Sequence, residues 1–231
     1  MLEIIKSHSR FKGLPWYEHL QQVNILGAGG IGSWVALSLS RQGHKVLVQD
    51  YDRVEPHNLG GQLYSSKSIG KLKVTALTEI IRELCPETKS NFSGSNANIT
   101  KTNGYIGNIT FSCFDNMEAR KIAFDRWKAI KNEDNSVKLF IDGRLLAEEY
   151  QVLVVDESKI EEYEKTLFLD SQIPDEDCTA KATSHCSMMI AATMTSLFNN
   201  YVTNFYSDFP GREVPFLTRV SLPMMTYELK F

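Results

Sequence analysis

Acidic and amide side chains follow a short apolar run in the first quarter of the chain. Asp50 comes directly after the segment KVLVQ, Asp52 lies two positions further on, and Asn58 and Gln62 follow soon afterwards. Carboxylates accept hydrogen bonds from ribose hydroxyls, whereas amides and amines donate to phosphate oxygens. The pattern therefore indicates a nucleotide site, and it leaves open whether that nucleotide is a cofactor or a substrate.

A glycine-rich turn precedes these residues. The segment GAGGIG places Gly27, Gly29 and Gly32 at G-x-G-x-x-G spacing, with Gly30 beside them. Glycines allow a sharp turn and a close approach to a phosphate or ribose, and the following helix offers free N–H groups at its start. Asp50 lies at the distance expected of a ribose-binding acid. The turn alone fits an NAD site, an ATP site, or close helix–strand packing.

Two lysines and a further acid distinguish an ATP site from an NAD site. Lys71 and Lys73 stand at the start of a predicted helix, and the segment FDN supplies Asp115 with Arg120 about one turn beyond. A lysine neutralises phosphate charge, and an aspartate can hold Mg²⁺. Because a hydride-transfer site needs neither, these residues favour ATP as a substrate.

The elements that would position these residues alternate along the first two-thirds of the chain. Hydrophobic periodicity predicts strands over residues 23–26, 45–49, 108–115 and 138–143, and helices over residues 16–22, 31–42, 71–84 and 116–130. Parallel strands joined by helices form right-handed crossovers. The pattern predicts an α/β fold with a Rossmann-like, doubly wound and mostly parallel sheet.

The last third of the chain has a different pattern. The segment EYQVLVVD predicts an antiparallel strand, ESKIEEYEKTLF is helical in character, and residues 171–177 form an acidic crossing loop. A long buried helix is predicted over residues 179–206, followed by edge strands that Pro223 interrupts. We expect one domain over residues 1–231, with the nucleotide-binding part at about 22–145 and the remaining elements at about 146–231.

Composition narrows the functional classes. The chain has 231 residues and a formal net charge of −3, which argues against a nucleic-acid partner. No apolar stretch is long enough to span a bilayer, and the N-terminus has no apolar signal-peptide core, so we expect a soluble, cytoplasmic protein with no membrane partner. The four cysteines form no CxxC pair, so a zinc site of the usual spacing is not expected.

Four motifs together resemble the ThiF/MoeB superfamily of adenylating enzymes, which includes the ubiquitin-activating enzymes. These motifs are GAGGIGS, DYDRVEPHNLGGQ, IGKLK and CFDNMEAR, and FIDGR resembles the strand that follows them in the family. The resemblance covers roughly the first two-thirds of the chain. It implies ATP and Mg²⁺ as cofactors and a homodimeric adenylyltransferase. The partner that it implies is a small ubiquitin-like protein or peptide, whose C-terminal carboxylate attacks the α-phosphate.

The resemblance also implies a role for each motif residue. Gly27, Gly29, Gly30 and Gly32 would shape the adenosine site, Asp50 would bind the ribose, Asp52, Asn58 and Gln62 would lie near ribose or phosphates, Lys73 would contact phosphates, Asp115 would hold Mg²⁺, and Asn116 and Arg120 would support that turn. Arg10 would reach into a partner subunit's site, as an N-terminal arginine does in many members. The alternative for Arg10 is a solvated surface charge.

Two features qualify this resemblance. Gly61 stands where the family commonly has a phosphate-binding arginine, so Lys71 or Arg10 would have to replace it, or adenylation would be weakened. Cys178 precedes the long helix, where some members have a cysteine that takes the acyl group, although a helix-cap neighbour is the plain alternative. An NAD-binding oxidoreductase and a non-catalytic scaffold that pairs with an active partner remain the alternative functions.

Overall fold

Short apolar segments pair into one sheet of eight strands. In the computed structural model of the chain, the described residues are 8–132, 134–168, 183–209 and 211–231. In chain order the strands are β1 (Gln22–Leu26), β2 (Lys45–Gln49), β3 (Phe92–Ser95), β4 (Ile109–Ser112), β5 (Leu139–Leu146), β6 (Glu149–Val155), β7 (Leu217–Ser221) and β8 (Thr226–Lys230). They lie in the order β3-β2-β1-β4-β5-β6-β7-β8. The pairs from β3 to β5 are parallel and those from β5 to β8 antiparallel, so the predicted fold class is confirmed.

Helices occupy most of the predicted segments. They are α1 (Gly32–Gln42), α2 (Lys73–Leu84), α3 (Met117–Lys128), α4 (Ile160–Glu164) and α5 (Ser184–Tyr206). Helix α1 ends at Gly43, whose φ of 94° lets its N–H bond to carbonyls of the last turn. The predicted start of α5 at Thr179 lies outside the described residues. Among the residues that the structure describes, no helix has the length and apolarity needed to cross a bilayer.

Both faces of the sheet are covered. Helices α1, α2 and α5 pack on one face around strand residues such as Ile25 and Phe111. Helices α3 and α4 cover the other face, where Phe124, Trp127 and Tyr163 surround Phe140. The faces are therefore filled by the core, and the loops at the ends of the parallel strands are left for a binding site.

The strand order changes direction between β1 and β4, which creates a topological switch point at the carboxyl ends of these strands. The chain passes from β1 to β2 on one side of β1 and later enters β4 on the other side. In open α/β sheets, ligands bind in the crevice beyond the carboxyl ends of such strands. Gly27 follows β1, Asp50 follows β2, and Asp115 lies shortly after β4. The topology therefore brings three separate sequence motifs to one edge.

Three details differ from the sequence prediction. Strand β3 was not predicted, because FSGS is short and carries a glycine and two serines. The predicted helix over residues 16–22 is a 3₁₀ turn at Pro15–His19, and Gln22 already belongs to β1. Pro223 lies in the turn between β7 and β8 and interrupts neither strand.

His44 is buried between α1 and β2 without a charge partner. Its Nδ1 accepts a hydrogen bond from the backbone N–H of Gln21 at 3.1 Å, and its ring packs against Trp16 and Phe198. Burial disfavours the charged imidazolium and lowers the pKa of His44 from 6.5 to about 4. The unfolded chain therefore takes up a proton at a higher pH than the folded chain does.

We expect acid to destabilise the fold through His44. Above pH 6.5 the group is neutral in both states and contributes no pH dependence, and stability falls as the pH drops from 6.5 towards 4. Between pH 7.5 and pH 5 the free energy of unfolding should fall by about 2 kcal/mol from this group. Urea unfolding of the wild type and of His44→Gln at both pH values measures that share. Equal pH dependence in the two proteins would contradict the assignment.

Candidate functional site

The glycine turn packs tightly at two positions and stays open at a third. Gly27 has a φ of 91°, and a Cβ there would lie 2.8 Å from the carbonyl oxygen of Cys113. A Cβ on Gly32 would overlap the carbonyl oxygen of Gly27, whereas one on Gly29 would meet nothing within 4 Å. Within the described chain, the N–H groups of Gly29 and Gly30 have no hydrogen-bond partner. Close packing therefore explains why residues 27 and 32 are glycines. The open space at Gly29 leaves room for a ligand to approach the free N–H groups.

Asp50 fastens this turn. Its Oδ2 accepts a hydrogen bond from the backbone N–H of Ala28 at 2.7 Å, and its Oδ1 accepts one from Asp52 at 2.7 Å. The residue is 8 % exposed. Because a carboxylate can accept about four hydrogen bonds, two sites remain for ribose hydroxyls. Asp50 thus has a structural role that its spacing in the sequence does not reveal.

Lys73 is directed towards Asp52. The Lys73 Nζ lies 2.9 Å from Asp52 Oδ2, and the Lys73 N–H donates to the Asp52 carbonyl at 2.8 Å. Lys73 is buried and is the first residue of α2, whereas Lys71 is half-exposed and pairs with Glu79. The structure therefore places Lys73 beside the predicted nucleotide residues. Lys71 is engaged with α2 instead.

Asn58 and Gln62 belong to the loop between these residues. Asn58 is buried, and its Oδ1 accepts a hydrogen bond from the Glu55 N–H at 2.9 Å, which caps the 3₁₀ turn Pro56–Gly60. Gln62 Oε1 is buried with no partner among the described residues. Asn58 thus shapes the loop, and Gln62 leaves one acceptor that a ligand hydroxyl or amine can satisfy.

Asp115 is exposed at the start of α3. Its Oδ1 accepts a hydrogen bond from Asn116 Nδ2 at 3.2 Å, and Asn116 Oδ1 caps the helix by accepting from the Ala119 N–H at 2.8 Å. No cluster of three or more His, Cys, Asp or Glu side chains that could hold a metal occurs in the described ranges. A magnesium ion at Asp115 would therefore take most of its ligands from phosphates and water, which is how Mg²⁺ is usually bound.

Arg120 bonds to the backbone of the loop that carries Asp115. It is 3 % exposed, and its Nη2 donates to the carbonyl oxygen of Phe114 at 2.7 Å. Its Nη1 lies 3.3 Å from the carbonyl oxygen of Asn116, and its Nε donates to Asp142 at 2.7 Å. The carbonyls on either side of Asp115 are thus fixed by one guanidinium, which is the geometry that a supporting role requires.

Asp142 anchors a buried cluster that the sequence analysis missed. It is fully buried and accepts hydrogen bonds from Arg120, from Arg144 Nε at 2.8 Å, and from the Tyr163 hydroxyl at 3.0 Å. Burial alone would raise the pKa of Asp142, but the charges of Arg120 and Arg144 hold it below the ordinary value. A carboxylate buried inside the apolar strand FIDGR requires such partners. The acid in this strand is therefore the feature of the sequence that could have indicated the cluster.

Arg10 lies in a segment that packs at the C-terminal end of α1. It is exposed in a 3₁₀ turn, Ser9–Phe11, that follows His8. The His8 ring packs against Gly43 at the C-terminal end of α1, whereas the glycine turn precedes the N-terminal end of that helix. Because α1 has 11 residues and spans about 16 Å, the segment that carries Arg10 packs at the end of α1 remote from the glycine turn.

Three cysteines fall within the described residues, and none of them has a nucleophile's environment. Burial raises the pKa of Cys186 to about 11, and it raises the pKa values of Cys85 and Cys113 as well. Because the thiolate is the reactive form, these thiols are poor acyl acceptors. Cys178, the predicted nucleophile, lies outside the described residues.

Two cavities lie away from this edge. One of about 310 Å³ is lined by residues including Val154, Tyr201 and Phe216, and one of about 410 Å³ by residues including Asn24 and Tyr105. Both are near the amino ends of the parallel strands. The candidate site lies instead at the carboxyl ends of these strands.

Comparison with known proteins gives a family and several relatives. The model of the ThiF family matches residues 15–227. Ubiquitin-like modifier-activating enzyme 5 of Drosophila ananassae is 29 % identical over 134 residues, which is 52 % of this chain and 32 % of that protein. The same enzyme of Caenorhabditis elegans is 34 % identical over 121 residues, covering 45 % of this chain and 29 % of that protein. The matched segments thus span about a third of the relatives' length.

Solved structures share the fold. PaaA is 18 % identical with a TM-score of 0.65, covering 98 % of this chain and 70 % of that one. E. coli MccB with ATP is 16 % identical with a TM-score of 0.63, covering 98 % and 66 %. E. coli tRNA N6-threonylcarbamoyladenosine dehydratase is 15 % identical with a TM-score of 0.62, covering 87 % and 94 %. At these identities the likeness concerns the fold alone.

Proposed function

This chain belongs to the ThiF family, and from that premise we propose that it is an adenylyltransferase. It uses ATP and Mg²⁺ to activate the C-terminal carboxylate of a small ubiquitin-like protein or peptide. The carboxylate oxygen forms a bond to the α-phosphorus, the bond from that phosphorus to the bridging oxygen breaks, and pyrophosphate leaves. The products are an acyl-adenylate and pyrophosphate.

One observation carries the proposal. The glycine turn, Asp50, Lys73 and Asp115 come from four separate segments and lie at the carboxyl edge of the sheet around its switch point. They combine free N–H donors, ribose acceptors, an ammonium group and an exposed carboxylate. A nucleoside triphosphate is bound by acceptors for its ribose hydroxyls and by donors and positive charge for its phosphates. Attack by an anion on a phosphate requires charge neutralisation above all.

Each residue has a defined task in this mechanism. Asp50 accepts hydrogen bonds from the ribose hydroxyls, and the N–H groups of Gly29 and Gly30 donate to phosphate oxygens. The ion pair between Lys73 and Asp52 lengthens, and the ammonium group of Lys73 moves beside the phosphates. There it neutralises the negative charge that develops on the leaving pyrophosphate. Asp115 would hold Mg²⁺, which supplies further neutralisation when bound. Arg120 keeps the Asp115 loop in place.

The relatives support the partner class. The matched enzymes are named as activating a ubiquitin-like modifier, and we propose the same chemical class of substrate for this chain. We also propose that the protein is cytoplasmic, that residues 1–231 form one domain, and that the acyl group is transferred to Cys178 in a second step.

Pyrophosphate exchange into ATP tests the function. The wild type should exchange labelled pyrophosphate into ATP only with Mg²⁺ and a small protein that has a free C-terminus. A hydroxylamine-sensitive adduct that disappears in Cys178→Ala would support the second step. ATP binding without exchange with any acceptor would favour the scaffold, and tight Mg²⁺-independent NAD binding without ATP binding would favour the oxidoreductase.

We further propose that the protein acts as a homodimer in which Arg10 serves the partner's site. The segment of Arg10 packs at the end of α1 remote from the glycine turn of its own chain, which favours a role at a second copy. The alternative is a solvated surface charge, for which Arg10→Ala would keep the full exchange rate.

Mixing two inactive variants separates these alternatives. We expect Arg10→Ala and Lys73→Met each to be nearly inactive alone. After subunit exchange, half of the dimers are mixed, and each mixed dimer has one complete site. The mixture should therefore recover about a quarter of the wild-type exchange rate per chain. A mixture no more active than the sum of its parts would rule out action across the dimer.

A further inference from the structure

Residues 61–64 are attached to the glycine turn and the start of α1 by three hydrogen bonds that involve side chains. Trp34 Nε1 donates to the carbonyl oxygen of Gly61 at 3.0 Å, and the Leu63 N–H donates to Ser33 Oγ at 3.1 Å. The Tyr64 hydroxyl donates to the carbonyl oxygen of Ala28 at 2.7 Å. We call residues 61–64 together with Ser33 and Trp34 the clasp.

The clasp fixes the peptide groups of the glycine turn. The Ala28 N–H donates to Asp50 and the Ala28 carbonyl accepts from Tyr64, so each of the two peptide groups that flank the Ala28 Cα has one hydrogen bond. The Gly29 carbonyl accepts from Ser33 Oγ at 2.7 Å and from the Ser33 N–H at 3.1 Å. The carbonyls of Ala28 and Gly29 are therefore occupied, and the N–H groups of Gly29 and Gly30 remain as donors.

We propose that Tyr64 is a positioning residue for the nucleotide phosphates. Its hydroxyl holds the Ala28 carbonyl away from the crevice, so the glycine turn presents N–H donors to the phosphates and no carbonyl dipole. This arrangement compensates in part for Gly61, which supplies no cation. The inference rests on the proposed nucleotide site and names a residue that acts through the backbone of the turn.

The surroundings of Tyr64 fit this role. The side chain is 8 % exposed, and its hydroxyl also lies 3.5 Å from the carbonyl oxygen of Lys73. Burial, together with the charges of Asp50 and Asp52, raises the pKa of Tyr64 well above its ordinary value, so the hydroxyl stays a donor. Removing it leaves the Ala28 carbonyl buried without its partner. That peptide can then rotate and direct its oxygen towards the phosphates.

Tyr64→Phe removes only this hydroxyl, and Tyr150→Phe is its matched control. Tyr150 is also buried, and its hydroxyl bonds to Thr193 between β6 and α5, away from the site. We would measure the affinities of adenosine, AMP, ADP and ATP for each protein by calorimetry, with thermal unfolding to follow stability. Tyr64→Phe should bind ATP about 5- to 10-fold more weakly and adenosine within about twofold of the wild type. Tyr150→Phe should change neither affinity.

The ratio of ATP to adenosine affinity is the decisive readout. If Tyr64→Phe lowers the affinities for ATP and adenosine equally, or lowers neither, the inference about Tyr64 is wrong and the proposed nucleotide site is unaffected. A wild type that binds no ATP instead overturns the proposed function. Should Tyr64→Phe fail to fold, Ser33→Ala removes the neighbouring tie to the Gly29 carbonyl, and it should show the same selective loss.

Discussion

Asp115→Asn should reduce Mg²⁺-dependent adenylation by at least about 100-fold. The substitution keeps the size and shape of the side chain and removes its charge. Asp115 is exposed and accepts one hydrogen bond from Asn116 at 3.2 Å, so the fold should not depend on it. The loss should therefore appear in the rate and in the Mg²⁺-dependent part of ATP affinity. It should not appear in the unfolding temperature.

Asp125→Asn is the control for this experiment. Asp125 lies on the same helix, is exposed, and pairs with Lys121 one turn away. Its replacement should leave pyrophosphate exchange unchanged at every Mg²⁺ concentration. If Asp115→Asn keeps the wild-type rate, the metal is bound elsewhere and the assignment of Asp115 is wrong.

The sequence predicted the outline of the candidate site because parallel strands impose strong geometry. Gly27, Asp50 and Asp115 each follow a short apolar run, and the carboxyl ends of parallel strands meet at one edge. Once the runs are identified as neighbouring strands, the residues after them are brought together without further information. The same reasoning placed Lys73 at a helix start, where the structure puts it beside Asp52.

Long-range contacts explain what the sequence did not predict. Asp142 and Arg144 of β5 and Tyr163 of α4 meet Arg120 of α3, and no local pattern in the sequence specifies that contact. Tyr64 lies between Leu63 and Ser65 in the sequence, and the role of its hydroxyl is evident only from its contact with the Ala28 carbonyl. The placement of Arg10 likewise follows from the packing of His8 against Gly43, which sequence spacing does not contain.

The missing cation at Gly61 sharpens the role assigned to Lys73. Of the two lysines near α2, Lys71 is half-exposed and paired with Glu79. Among the motif residues within the described chain, Lys73 is therefore the ammonium group best placed to neutralise phosphate charge. A site with fewer cations should depend more strongly on the one that remains.

Lys73→Met should lower the turnover number for pyrophosphate exchange by about 100-fold. ATP affinity should change by no more than about threefold, because neutralisation matters most as charge develops in the transition state. Methionine keeps the apolar stem that the buried position requires, so the fold should be retained. Exchange kinetics over a range of ATP concentrations, together with calorimetric ATP binding, measure both quantities.

Lys71→Met provides the matched comparison two residues earlier. Lys71 has the same chemistry, but it is half-exposed and bonded to Glu79 on the outside of α2, so its loss should leave turnover near the wild-type value. The converse result, with Lys71→Met inactive and Lys73→Met active, would move the phosphate contact to Lys71 and assign Lys73 to the ion pair with Asp52. Lys73→Arg should restore part of the turnover if charge alone is required, because arginine reaches the same region with a different donor geometry.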